Sequence, residues 1–257
     1  MLRSFLQGEL FGSIYGRPPV EVVALHGWRR DHTDYEQLGS LWMDDCAIIA
    51  PDLPGFGATP PPGLAWDSAQ YAKLISILIE DEIGAPVVVL GHSFGGRVAV
   101  RLAASRPDLV KSLVLTGAPL AAPRSTTQRQ KKPQIAITYR VARQMEKLGL
   151  VSVDRMERIR KRYGSPDYAH ASGIMRKVLV NLLAETYSDD LAKFACSVHL
   201  VWGEEDTEVP IGVARSIAHA VPGSQLTELP GIGHFVPTDA PTALAKVVEA
   251  AVLASRS

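Results

Sequence analysis

The chain has 257 residues, 46% hydrophobic and 21% charged, the balance of a globular protein and neither a disordered chain nor a coiled coil. Lys+Arg and Asp+Glu are equal at 27 each, which argues against a dominant attraction to nucleic acid, and no apolar run reaches the ~20 residues that span a bilayer. The opening Met1-Leu-Arg-Ser-Phe-Leu-Gln-Gly-Glu9 lacks the uninterrupted apolar stretch of a signal peptide, so the expected location is cytoplasmic. Two cysteines, Cys46 and Cys196, are too few for a disulfide framework or a zinc site and are expected as buried thiols at strand edges.

Short β-branched runs at Val20 to Leu25, Ala47 to Ala50, Val87 to Leu90, Ser112 to Leu115, Val198 to Trp202 and Gln225 to Leu229 predict strands. Most are nearly continuously apolar, as strands of a parallel sheet are when helices cover both faces. Between them, Asp67 to Glu82, Gly95 to Ser105, Ile211 to Ala220 and Thr242 to Ala254 carry apolar residues at helical spacing, with Asp67 and Thr242 as candidate N-terminal caps. Alternating strand and helix predicts an α/β fold, a mostly parallel twisted sheet flanked by helices. The alternation stops between Pro119 and Asp190, where helical segments follow one another at Gln134 to Leu148, Val153 to Tyr163 and Ser172 to Thr186. This stretch holds 14 Lys+Arg against 7 Asp+Glu. It reads as an inserted helical cap, residues 119–190, on a core formed by 1–118 and 191–257. Ligands bind outside the carboxyl ends of strands in such sheets, so an insertion there is placed to act as a lid.

The chemistry-bearing residues sit at those carboxyl ends. Gly91-His92-Ser93-Phe94-Gly95-Gly96 follows a strand and opens a helix, the context in which G-x-S-x-G marks a nucleophile. Gly91 and Gly95 give the room that a sharp strand-to-helix turn needs, and the Phe94 amide faces outward with the helix dipole behind it. A serine hydroxyl is a weak nucleophile until a base takes its proton. Of the seven histidines, His234 in Pro230-Gly-Ile-Gly-His234 lies in a Gly-rich loop just past a strand and is the candidate base. Asp206 in Gly203-Glu-Glu-Asp206 is the candidate orienting acid, with Glu205 as the alternative.

With His26-Gly27-Trp28 and Asp52-Leu-Pro-Gly55-Phe56-Gly57, these blocks resemble the α/β-hydrolase superfamily, specifically its smaller capped serine hydrolases, over nearly the whole chain outside the cap. The resemblance implies the α/β-hydrolase fold and the order Ser93, Asp206, His234. It also implies an oxyanion hole from the backbone N–H groups of Trp28 and Phe94. His26 is expected to brace the oxyanion loop, Asp52 to tie down the loop after its strand, and His92 to pack behind the elbow in preference to touching substrate. Arg29, Arg30, Asp31 and His32 fit either a pocket mouth or a solvated loop.

The expected activity is hydrolysis of a small-molecule carboxylic ester or thioester, carboxylesterase-like, with no metal and no organic cofactor. Carbon–carbon bond hydrolysis and other cofactor-free chemistries of the superfamily share the same residues, and a non-catalytic ligand-binding protein is the alternative of a different class. Expected partners are the substrate alone, without nucleic acid or a membrane span, in a monomer or homodimer. Cap cations such as Arg140 or Arg176 are candidates for holding an anionic substrate group. Apolar cap residues including Ile174, Met175 and Leu179 fit lid core or pocket lining.

Overall fold

The computed structural model describes residues 1–41, 46–120, 167 and 170–256. Strands β1 (Leu2–Phe5), β2 (Leu10–Gly16), β3 (Val20–Leu25), β4 (Ala47–Asp52), β5 (Val87–His92), β6 (Val110–Thr116), β7 (Ser197–Gly203) and β8 (Gln225–Leu229) form one sheet. Its spatial order is β1-β2-β4-β3-β5-β6-β7-β8. From β4 to β8 every pairing is parallel; β1 with β2 and β2 with β4 are antiparallel. All six predicted strands are present. The antiparallel pair at the start was not predicted, because Leu2-Arg-Ser-Phe and Leu10-Phe-Gly-Ser-Ile-Tyr-Gly interleave polar residues and glycine, and only β1 of the two is the exposed edge of the sheet.

Among the described residues, the α-helices are α1 (Glu36–Leu41), α2 (Ser68–Glu82), α3 (Phe94–Ser105), α4 (Gly173–Ala184), α5 (Ser188–Leu191), α6 (Ile211–Ala220), α7 (Val236–Asp239) and α8 (Pro241–Ser255). Alternate strand residues face opposite layers. Val23, Leu25, Val87 and Val89 pack with α2, α3 and α6 in one core. Val22, Ala24, Val88 and Leu90 pack with Leu38 of α1 and Leu244, Val248 and Val252 of α8 in the other. Each such side chain, fully buried, contributes roughly 1.5–3 kcal/mol, so this two-sided burial holds the central strands rigid beneath the site.

Asp67 caps α2 as expected. Its side chain accepts from the Gln70 amide at 3.0 Å while Gln70 accepts from the Asp67 amide at 2.9 Å, a reciprocal arrangement that removes two orphan donors. The expected cap at Thr242 is corrected. The helix starts one residue earlier, on Pro241, with Ala240 in the cap position and no side-chain cap bond, because proline has no N–H to satisfy in the first turn. Cys46 is buried, whereas Cys196 is only partly so. The expected helices at 134–148 and 153–163 lie outside the described residues, while α4 occupies most of the third.

Candidate active site

The turn from β5 into α3 puts Ser93 in the left-handed region, at φ 50° and ψ −110°. That conformation costs a non-glycine residue on the order of 1–3 kcal/mol and persists only where its surroundings impose it. Here the Ser93 amide donates to the Thr116 carbonyl at 2.9 Å, and the Gly95 amide to the His26 carbonyl at 3.0 Å. A Cβ on Gly95 would lie 2.0 Å from the Leu25 carbonyl oxygen, and one on Gly91 would lie 2.7 Å from the Gly96 Cα. Both glycines therefore permit the close backbone approach that the sequence motif suggested. Phe94 is the first residue of α3, so its amide has no carbonyl of its own helix to bond.

His234 and Asp206, 28 positions apart, meet through Nδ1 and Oδ2 at 2.8 Å, with both residues buried. The Asp206 Oδ1 accepts the amides of Glu208 at 2.9 Å and Val209 at 2.7 Å, so the carboxylate is anchored on both oxygens. An Nδ1–H donating to Asp206 leaves the Nε2 lone pair available as a base. The loops carrying the two residues are stitched together by Glu204 N to Leu229 O at 3.1 Å and Glu205 N to Ile232 O at 2.9 Å. Glu205 is exposed, and it is Asp206 that meets the histidine.

The His26 ring is fully buried. Its Nδ1 is 2.7 Å from the Gly27 carbonyl and its Nε2 accepts the Leu53 amide at 2.9 Å, which ties the loop after β3 to the loop after β4. Burial holds its pKa below the usual histidine value. Asp52 accepts the His32 amide at 2.8 Å on Oδ1 and the Ala58 amide at 2.8 Å on Oδ2, so it does tie down its loop. Asp31, His32 and Asp52 bring ligand-type atoms together, but Asp52 is engaged by these amides and Asp31 by the Thr33 amide at 2.9 Å. Arg30 pairs with Asp34 and lies 5.3 Å from the Phe235 ring centre. Trp28 stands edge-on to Phe56 at 4.8 Å and to Phe94 at 5.6 Å. The two residues named for oxyanion binding are thus neighbours in an apolar wall.

His92 packs behind the elbow. Its ring is 1% exposed and lies 4.9 Å, centre to centre, from His234. Neither ring nitrogen has a hydrogen-bond partner among the described residues. Burial first, and the neighbouring His234 second, push its pKa well below the ordinary value.

Gly117 and Glu208 are not named as site residues by the sequence, and Met175 fits either lid core or pocket lining from sequence alone. Gly117, at φ +57°, is the floor on which both imidazoles rest: a Cβ there would be 2.8 Å from His234 Cε1 and 3.2 Å from His92 Cε1. Its signal was a glycine directly after a strand. Glu208 places Oε2 3.6 Å from His234 Nε2, a proximity that depends on loop geometry. Met175 of α4 covers the loop after β4, where its Sδ would be 2.3 Å from a Cβ on Gly55. Of the candidate substrate-binding cations, Arg140 lies outside the described residues, and Arg176 donates from Nε to the Ala171 carbonyl at 2.7 Å.

A model of the alpha/beta hydrolase family matches residues 22–247, and the chain belongs to that family. It is similar to pimeloyl-[acyl-carrier protein] methyl ester esterase of Chromobacterium violaceum, 27% identical over 239 residues that cover 88% of this chain and 91% of the relative. A shorter stretch of 97 residues, 38% of this chain and 36% of the relative, is 38% identical to the lipase LipV of Mycobacterium tuberculosis. The chain thus spans about a third of that lipase. Among solved structures, an esterase of Exiguobacterium antarcticum shares the fold with a TM-score of 0.73 at 19% identity, covering 96% of this chain and 97% of that one. No helix among the described residues is long and apolar enough to cross a membrane.

Proposed function

We propose that this protein is a serine hydrolase that cleaves a carboxylic ester or thioester of a small molecule through an acyl-enzyme on Ser93. The observation that carries the reading is the buried Asp206–His234 pair at 2.8 Å, set beside an elbow that holds Ser93 at φ 50°. The esterase and lipase relatives support ester chemistry over the other reactions of the family.

His234 Nε2 takes the Ser93 proton as Oγ bonds to the substrate carbonyl carbon. The developing oxyanion is met by the Trp28 and Phe94 amides, donors preset toward charge that exists only in the transition state. As the carbon–leaving-group bond breaks, His234 returns that proton to the departing oxygen or sulfur. Water then repeats the sequence on the acyl-enzyme and frees the acid. Asp206 holds the imidazole in the tautomer that both steps need. Residues 119–190 are the proposed cap, and Met175 of that stretch, with the Trp28, Phe56 and Phe94 rings of the core, supplies apolar walls for the substrate.

Incubation with a fluorophosphonate should label Ser93, and p-nitrophenyl acetate should be turned over; Ser93→Ala should abolish both. Labelling without turnover of any ester or thioester would move the assignment to carbon–carbon bond cleavage. Absence of labelling would leave a ligand-binding protein on the same fold.

A further inference from the structure

His234 Nε2 is the atom that must deliver a proton to the leaving group, so the leaving atom has to come within hydrogen-bond reach of it, about 2.6–3.2 Å. Glu208 Oε2 stands 3.6 Å from that same atom. Any substituent carried by the departing alcohol or thiol therefore passes beside the Glu208 carboxylate.

The position of Glu208 is set by the site. Its amide donates to Asp206 Oδ1 at 2.9 Å, one carboxylate oxygen away from the bond that orients His234. Its side chain is 57% exposed, so the carboxylate stays solvated and charged beside Nε2. Among the described residues, its ion-pair contact is with His234. The cation beside the neighbouring Phe235, Arg30, is already matched by Asp34 at 2.8 Å. Among the described residues, the negative charge of Glu208 is thus not paired with an arginine or lysine.

We infer that Glu208 is a specificity-determining residue that favours esters whose leaving group carries a positive charge and disfavours those whose leaving group is anionic. The inference rests on the serine-hydrolase reading, because it requires Nε2 to serve the leaving group. Attraction between an ammonium and a partly solvated carboxylate a few ångströms away is modest, roughly a three- to tenfold preference, and it weakens as salt shortens the screening length.

The test compares kcat/KM for two aryl acetates of matched shape, meta-trimethylammoniophenyl acetate and meta-tert-butylphenyl acetate, which form the same acyl-enzyme. The ratio of the two constants, taken relative to wild type, cancels their intrinsic reactivities. Glu208→Gln should lower the cationic-to-neutral ratio about three- to tenfold at low salt, with the difference shrinking in molar salt. Glu208→Asp should retain most of the preference. Glu205→Gln, which removes the same charge from the same loop away from Nε2, should leave the ratio unchanged. A ratio untouched by Glu208→Gln, or lowered equally by Glu205→Gln, overturns the inference while leaving the hydrolase reading intact. If wild-type Ser93 neither reacts with a fluorophosphonate nor turns over either ester, the hydrolase reading falls and this inference with it.

Discussion

At the scale of single residues, the site depends on which atoms are allowed near the His234 imidazole. Gly117 sits at φ +57° with His234 Cε1 2.8 Å from where a Cβ would be. Gly117→Ala must then adopt a conformation that L-residues avoid, at about 1 kcal/mol, and also displace the base. Because a misplacement of about 1 Å in a catalytic group can cost on the order of 10²-fold, the expected result is a loss of that size in kcat with KM little changed and the circular dichroism spectrum retained. A parallel rise in KM would mean that Gly117 serves binding. Asp206 makes a second case. Asp206→Asn keeps the shape but can present an amide N–H to Nδ1, which selects the wrong tautomer, and activity should fall by roughly 10⁴. Glu205→Gln, at an exposed position whose amide donates to the Ile232 carbonyl, should stay within a few-fold of wild type. Steady-state kinetics on the pair of variants separates the two acids that the sequence alone left as alternatives.

At the scale of elements, α3 joins the proposed nucleophile, Ser93, to α4 and the segment that follows it. Ser93 precedes its first turn, and Arg97 and Arg101 on the same helix reach the segment after α4. Arg101 donates to Asp190 at 2.5 Å and to the Thr186 carbonyl at 3.2 Å, and its guanidinium lies 4.7 Å from the Tyr187 ring centre. Arg97 bonds the Leu182 carbonyl, and Glu185 accepts from the Ser68 amide at 2.9 Å at the start of α2. Arg101→Leu would leave Asp190 buried without its partner, which costs on the order of 3 kcal/mol, and this should appear as a drop in the urea midpoint together with faster proteolysis around 185–190. An unchanged midpoint would show that Tyr187 and Glu185 suffice to dock the segment. This network was invisible in the sequence, since its members are exposed or loop-like by pattern and are matched only by folding. By contrast, β3, β8 and α6 were read to the residue, because Val20–Leu25 and Gln225–Leu229 are short runs flanked by Gly and Pro, while Ile211–Ala220 carries apolar residues at helical spacing. Gly91 and Gly95 were legible because they flank the turn from β5 into α3, and Asp206 and His234 because each sits one short loop beyond a strand's carboxyl end. Glu208 was not, because its distance from Nε2 depends on how the loops after β7 and β8 are stitched together.

At the scale of the whole molecule, the sheet order brings the ends of β3, β5, β6, β7 and β8 to one edge and surrounds the site with apolar layers that also enclose histidines. His26 and His92 are 0% and 1% exposed, and burial holds both below the ordinary histidine pKa, His92 well below it. The unfolded chain takes up a proton on each below about pH 6.5, whereas burial disfavours it in the native state, so the unfolded state binds more protons and stability falls as pH is lowered. The sign is that of a depressed folded pKa: the contribution is complete above the unfolded value and is lost progressively from about 6.5 downward until the folded pKa is reached. For His92 the loss should approach about 1.4 kcal/mol for each pH unit in that window, with His26 adding a smaller slope. Urea unfolding at about pH 7.5 and about pH 5.5 should therefore show a lower midpoint in acid, and His92→Gln, which removes one titrating group, should flatten the dependence. Parallel pH dependences in wild type and variant would mean that native His92 accepts a proton despite its burial. That result would require a counter-charge or solvent to reach its ring nitrogens, behind the base that the site relies on.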